Sequence, residues 1–247
     1  MKRLDVVLVE RGLAESREKA QRAIMAGRVR VNGQSARKAS DKIREEDQVE
    51  ITAGERYVSR GGHKLEHALR HFACDPTGLT AIDLGASTGG FTDCLLQHGA
   101  AKVFAVDVGR GQLAWKLRSD PRVVVMEQTN ARHLTPASFP GPFTPFDLVV
   151  ADCSFISLRK ILPAAVALLR TSGNILALLK PQFEAGKAEA DRGAGVIRDP
   201  AVHERVIREL REFVEGQPGL HWQGVSESPL EGPAGNKEFL VRIEKTR

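Results

Sequence analysis

Apolar positions along this chain follow two rhythms, and the change falls at a short linker after residue 54. In the first stretch they are sparse and helically spaced. Leu4, Val7 and Leu8 form one stripe that Gly12 ends. Ala20, Ala23 and Ile24 form a second behind Ser16, a good N-cap, with Gly27 as its stop. Val29-Arg30-Val31 alternates as a strand, Asn32-Gly33 is a strong hairpin turn, and Val49-Glu50-Ile51 reads as a further strand. After the linker, a helix over 64–72 is broken by Pro76 and Gly78. Strands over 79–84, 102–107, 122–126, 146–151 and 174–179 then alternate with helices over 90–98, 112–118, 158–170 and 200–215. Continuous runs such as Leu148-Val149-Val150-Ala151 suit a parallel sheet buried on both faces. Two last strands, near 220–227 and 237–244, are joined across Pro229, Gly232, Pro233 and Gly235 like a hairpin. The pattern predicts a small α+β domain over 1–54, a linker over 55–60, and an α/β domain over 61–247.

Composition narrows the class. Apolar residues make up 42% of 247, enough for a sizeable core. The longest apolar run, 161–169, contains Pro163 and is too short for a bilayer, and the N-terminal run stops at Glu10, too short for a secretory signal. No membrane partner is expected. Cys74, Cys94 and Cys153 show no C-x-x-C spacing, which points to a reducing cytoplasm and away from disulfides or a zinc site. The net charge is +5, and residues 1–60 carry +4 of it, which suggests a polyanion partner for the first domain.

The most informative stretch is 80–92. An apolar run contains Asp83, a glycine-rich turn follows at Gly85, Gly89 and Gly90, and a helical pattern opens at Phe91. That is a strand–loop–helix nucleotide site, in which glycines let the backbone approach a ligand. Asp107 closes the next apolar run, where a carboxylate can accept both ribose hydroxyls of an adenosine. Ser87 stands at the third loop position, so the dinucleotide spacing G-x-G-x-x-G is absent. Asp83-x-Gly85-x-Ser87-x-Gly89-Gly90 instead resembles the first motif of S-adenosylmethionine-dependent methyltransferases.

The first domain resembles the ribosomal-protein-S-four-like RNA-binding module, through Arg3-Leu4-Asp5, Ser16-Arg17-Glu18-Lys19-Ala20 and Gly27-Arg28-Val29-Arg30-Val31-Asn32-Gly33. The resemblance implies RNA contacts from Arg3, Arg17, Lys19, Arg22, Arg28, Arg30, Arg37 and Lys38, with Arg60 added from the linker. Contacts of this kind to phosphates give affinity rather than sequence readout.

Two further charges directly follow buried runs in the second domain: Asp152 after Val149-Val150-Ala151 and Lys180 after Leu176-Ala177-Leu178-Leu179. A charge there is costly unless paired or used. With Tyr57-Val58-Ser59-Arg60-Gly61-Gly62, Asp152-Cys153-Ser154-Phe155-Ile156-Ser157-Leu158, Leu179-Lys180-Pro181-Gln182-Phe183-Glu184 and Gly235-Asn236-Lys237-Glu238-Phe239, nearly the whole chain resembles the TlyA family. These are hemolysin-A-like ribosomal RNA ribose methyltransferases within the FtsJ-like 2′-O-methyltransferases. The resemblance implies a Rossmann-like, mostly parallel seven-stranded sheet with an antiparallel last strand. It also implies a Lys–Asp–Lys–Glu tetrad at Lys64, Asp152, Lys180 and Glu238. Methyl transfer from S-adenosylmethionine to a ribose 2′-hydroxyl of cytidine would leave S-adenosylhomocysteine. The substrate would be ribosomal RNA, within subunits.

A ribose hydroxyl is a poor nucleophile, and a positioned base contributes about 10²–10⁴-fold. Lysine can serve only if its pKa is lowered by desolvation or by a second cation such as Lys64. Lys180 is the expected base, with Asp152 and Glu238 orienting the ammonium groups and the ribose. The same resemblance and the loop physics assign Gly85, Ser87, Thr88, Gly89, Gly90 and Phe91, above Asp83, to the methionine end of the cofactor. Asp107 takes its ribose, Asn130 lies beside its adenine, and Asp152 touches both cofactor and substrate. No metal is required. His63, His67 and His71 share a helix face without a further ligand at suitable spacing. Three other readings compete: a cytolysin, a binding-only ribosome-assembly factor, and a Cys153 nucleophile. The first lacks a spanning segment, the second fits poorly with an intact tetrad, and the third lacks clear thiolate stabilisation.

Overall fold

The computed structural model describes residues 1–36, 38–52 and 55–246, without the side chains at 187, 188 and 192. It divides into two compact units, 1–56 and 57–247.

The first unit is built on β1 (Lys2–Arg3), α1 (Leu4–Glu10), α2 (Arg17–Met25), β2 (Val29–Val31), β3 (Gln34–Ser35), β4 (Lys42–Ile43) and β5 (Val49–Ile51). Ser16 Oγ accepts from the Lys19 N–H at 3.2 Å and so satisfies one of the free donors at the start of α2. Asn32 and Gly33 both take positive φ, 49° and 78°, which lets β2 turn tightly into β3. β2 pairs antiparallel with β3 on one side and β5 on the other, while β1 pairs with β4. The helical stripes predicted from the sequence, Leu4, Val7, Leu8, Ala20, Ala23 and Ile24, meet Val29, Ala36 and Ile43 in one core.

The second unit runs through α3 (Gly61–His71), β6 (Thr80–Leu84), α4 (Gly90–Gln97), β7 (Lys102–Val106), α5 (Trp115–Arg118), β8 (Val123–Met126) and β9 (Phe146–Ala151). It continues through α6 (Leu158–Leu168), β10 (Leu169–Leu179), α7 (Pro181–Glu184), α8 (Lys187–Arg192), α9 (Pro200–Glu215), β11 (Leu220–Glu227) and β12 (Phe239–Lys245). Its seven strands lie in the order β11-β12-β10-β9-β6-β7-β8. β6 to β10 are parallel, and β12 runs antiparallel to both β10 and β11. The order reverses between β6 and β9, which opens a crevice at the C-terminal strand ends. Both faces are covered. One core packs Ile82, Val149 and Ile175 under α6 and α9, and the other packs Ala81, Leu148 and Leu176 under α3 and α4.

Several boundaries differ from the sequence reading. α3 starts at Gly61, three residues early, because the glycines let the helix lie against Gly90 and the buried Tyr57 ring. α5 starts at Trp115 instead of 112, since Gln112 donates its N–H to Glu127 Oε1 at 3.1 Å and belongs to a loop. β10 begins at Leu169 and has a register shift before Asn174, with Ser172 at φ 61°. The short helices α7 and α8 are additions. Pro181 opens α7, a position where its missing N–H costs nothing.

Candidate active site

The glycine loop owes its shape to contacts that leave no room for side chains. Gly85 leaves β6 at φ 85°, and a Cβ there would stand 2.9 Å from the Asp152 carbonyl oxygen. Only glycine lets the loop lie so close to the end of β9. Ser87, at φ 49°, donates its N–H to Asp107 Oδ2 at 2.8 Å, and the Gly109 N–H donates to Oδ1 at 2.7 Å. A Cβ on Gly90 would collide with Ser59 Oγ and stand 2.9 Å from the Gly62 nitrogen. The loop is thus fixed against both neighbouring strand ends and α3.

Two cavities flank it. The first, about 500 Å³, is lined by Gly85, Ser87, Thr88, Gly90 and Phe91 from the loop. Its far wall carries Lys64, Asp152, Lys180 and Glu238, with Arg60 at its border. The second, about 460 Å³, is lined by Asp107, Asn130 and Cys153 along with apolar Val106, Ala131 and Ile161. Gly85, Ser87, Asp152 and Ser154 line both, so the cavities adjoin across them. A cofactor with a nucleoside at one end and a charged, non-phosphate arm at the other fits this pair. The carboxylate of Asp107 lines the second cavity, and the loop's close approach to Asp152 forms the waist.

The four charged residues come from α3, the ends of β9 and β10, and the residue before β12. They form two ion pairs. Lys180 Nζ lies 2.6 Å from Asp152 Oδ1 and donates to Ser154 Oγ at 2.8 Å. Lys64 Nζ pairs with Glu238 Oε2, both side chains almost wholly buried. Gly232 makes room for that pair, since a Cβ there would stand 2.5 Å from Glu238 Oε1. Charges this enclosed persist when paired.

A second set of cross-links joins the segments that carry Asp152 and Lys180. Glu184 on α7 accepts from Ser157 Oγ and from the Leu158 N–H, each at 2.6 Å, and so caps α6 from outside. Between them Phe155, at φ 63° and 90% exposed, leans on Phe183 with ring centroids 5.1 Å apart.

Not every predicted site residue reaches a cavity. Asp83 lines neither: it is fully buried, and its Oδ2 accepts from the Thr92 N–H at 3.0 Å and hydroxyl at 2.7 Å. Burial raises its pKa to about 7. The Thr92 bonds oppose this, and the negative charges of Asp152 and Asp107 add to it. Gly89, at φ 95°, lies against Leu117 and Leu113 beneath the loop. Asn130 accepts from the Arg132 N–H at 3.0 Å while lining the second cavity. Burial pushes the Cys153 thiol up to about 12, which leaves it un-ionised at neutral pH and removes the nucleophile reading. Ser154, Gln112 and Phe155 line the cavities and were not singled out in the sequence. Ser154 and Phe155 lay in a quoted motif of which only the aspartate was used.

In the first unit, Arg3 and Arg17 are both drawn onto Asp5, at 3.0 and 3.1 Å, with Gln21 donating to it as well at 2.7 Å. Lys19 pairs with Glu15 and Arg22 with Glu18. Arg28 is half-buried, Arg30 and Lys38 are exposed, and Arg37 lies outside the described residues. Arg60, in the second unit, donates to the Glu231 carbonyl at 2.5 Å. Among the described residues no three His, Cys, Asp or Glu side chains gather as metal ligands, and no helix is long and apolar enough to cross a membrane.

Comparison with known proteins places these features. The FtsJ-like methyltransferase pattern matches residues 57–245, and the S4 domain pattern matches 2–49. The chain is 48% identical to a Mycobacterium tuberculosis protein named 16S/23S rRNA (cytidine-2′-O)-methyltransferase TlyA, over 97% of this chain and 88% of that one. It is 41% identical to a Brachyspira hyodysenteriae protein named Hemolysin A, over 98% and 99%. Among solved structures, a protein described as a candidate hemolysin from Streptococcus thermophilus superposes with a TM-score of 0.74 at 44% identity, covering 99% of this chain and 88% of that one.

Proposed function

Because the chain belongs to the FtsJ-like methyltransferase family, we propose that it methylates a ribose 2′-hydroxyl of cytidine in ribosomal RNA, using S-adenosylmethionine. One observation carries the reading: two lysine–carboxylate pairs line a cavity that adjoins the glycine-loop cavity through Gly85, Ser87, Asp152 and Ser154.

The cofactor supplies an electrophilic methyl group on a sulfonium. Residues 85–91 would hold its methionine end, Asp107 its ribose and Asn130 its adenine. Asp107 already accepts two backbone N–H groups and keeps lone pairs for ribose hydroxyls. The target ribose belongs in the first cavity. There Lys180, once its ammonium has released a proton, takes the proton from the 2′ oxygen, and Asp152 holds the nitrogen in place. Lys64, kept by Glu238, adds a positive field beside the oxygen as it gains charge. Alignment of two bound reactants supplies much of the acceleration. Phe155, which lines the second cavity, offers an exposed ring on which an unpaired base can stack. Residues 1–54 would hold the RNA through Arg3, Arg17, Arg28, Arg30 and their neighbours, and residues 61–247 would carry the chemistry. A ribosomal substrate places the work in the cytoplasm.

The test is transfer of labelled methyl from S-adenosylmethionine to isolated small and large ribosomal subunits, with wild type beside Lys180→Ala. Label on either subunit that the variant fails to deliver supports the proposal. Equal labelling by both proteins removes Lys180 as base, and no label on either subunit removes ribosomal RNA as substrate.

A further inference from the structure

Lys180 is the side chain asked to take a proton, and its Nζ has two protein partners of different kinds. Asp152 Oδ1 lies 2.6 Å away as an ion-pair partner, without the alignment of a hydrogen bond. Ser154 Oγ, at 2.8 Å, accepts from Nζ and keeps a hydroxyl proton of its own. Ser154 stands on the waist shared by the two cavities. The residues that follow it are tied to the segment after Lys180. Phe155, next in the chain, takes φ 63° and rests on Phe183, and Ser157 and Leu158 both bond to Glu184. The segment 154–158 is therefore tied to the segment 180–184 at three places: Ser154 to Lys180, Phe155 to Phe183, and Ser157-Leu158 to Glu184.

Building on the proposed function, we infer that Ser154 is a positioning residue that aims the Lys180 amine at the ribose hydroxyl. A primary amine has two N–H bonds and one lone pair in tetrahedral arrangement. Ser154 fixes one N–H by a hydrogen bond while Asp152 draws the nitrogen by charge, which leaves the lone pair to the first cavity, where Lys180 stands in the lining. As the 2′ O–H bond breaks, its proton forms the third N–H of Lys180 along that direction, while the oxygen's electron pair would form the new bond to the methyl carbon and the carbon–sulfur bond would break, its electron pair staying on the sulfur of the departing S-adenosylhomocysteine. Without Ser154, rotation about the Cε–Nζ bond has only Asp152 to fix it. An N–H then faces the substrate for part of the time, and turnover falls while binding is preserved.

The test uses the full-length chain and the subunit that wild type methylates, with initial rates for wild type, Lys180→Ala, Ser154→Ala and Ser154→Thr. Ser154→Ala is expected to lower kcat on the order of 10- to 100-fold with KM for RNA and for S-adenosylmethionine little changed. Ser154→Thr, which restores a hydroxyl, is expected to regain most of the loss. If wild type is active, Lys180→Ala is dead and Ser154→Ala keeps its kcat, this inference fails and the proposed function stands. A loss in Ser154→Ala that appears only in KM, or that threonine does not repair, overturns it equally. A wild type that methylates no ribose removes the proposed function first, and this inference with it.

Discussion

Asp83 shows how much a single position can be asked to do. It ends up wholly buried under the glycine loop, tied to Thr92 at the start of α4, so it braces the loop from below. Burial lifts its pKa to about 7, whereas an aspartate in the unfolded chain titrates near about 3.9. From about pH 4 to about 7 the folded protein therefore keeps a proton that the unfolded chain has released. Stability falls as pH rises through that window, and the full cost of the buried charge is present above it. Asp83→Asn stays neutral throughout. Its unfolding midpoint minus that of wild type should grow between about pH 5 and about pH 8, measured by thermal melts in matched buffers. Residues such as Asp5, whose pKa is driven down by Arg3, affect both proteins alike and cancel in the difference. A difference that stays flat with pH would show that Asp83 is ionised and stabilised in a way this structure does not display.

At the scale of elements, the alternation of apolar runs and helical stripes was enough to place the seven strands of the large sheet and each long helix, because buried parallel strands and amphipathic helices leave clear periods, whereas the two-residue strands β1, β3 and β4 show none. β9 at Phe146–Ala151 and α9 at Pro200–Glu215 coincide with the reading. What the pattern did not carry were features made by contact between distant segments. The start of α3 at Gly61 is one, since a Cβ on Gly62 would collide with the Tyr57 ring and one on Gly90 would stand 2.9 Å from the Gly62 nitrogen. α7 is four residues long, too short to show a period. The pairing of Lys64 with Glu238 and of Lys180 with Asp152 depends on strand order, so motifs placed these residues near strand ends without saying which meets which. Glu184 is the clearest case. In the sequence it is one more acid after a proline, and in the fold it is the acceptor for the first turn of α6. Glu184→Ala should cost about 1–3 kcal/mol in urea unfolding, since the Leu158 N–H and Ser157 hydroxyl lose their partner in a buried place. It should also lower methyl transfer by loosening 154–158. An unchanged urea midpoint would mean that other groups cap α6.

For the whole molecule, charge is distributed so that each unit has its own part in the proposed reaction. The excess of positive charge sits in residues 1–60, while in the second unit the four charged residues of the site stand in two pairs. In the first unit, Asp5 gathers Arg3 and Arg17, which limits their motion before any RNA is met. Arg30 and Lys38 are exposed. Removing both charges in Arg30→Gln/Lys38→Gln should weaken subunit binding and flatten the dependence of log affinity on log salt by about one per lost phosphate contact. kcat at saturating subunit should stay within about twofold. Filter binding across a salt series, beside single-turnover rates, checks both. A variant with an unaltered salt slope would move the RNA contacts elsewhere.

The central claim concerns the atom that receives the methyl group, and nucleoside analysis reaches it directly. Ribosomal subunits methylated by the wild-type protein with isotopically labelled S-adenosylmethionine are digested to nucleosides and separated by mass spectrometry. The account predicts label in 2′-O-methylcytidine, with the mass shift on the sugar fragment and none from Lys180→Ala. Label on a base fragment would contradict it, because an exocyclic nitrogen or ring carbon has no need of a lysine aimed at a ribose hydroxyl.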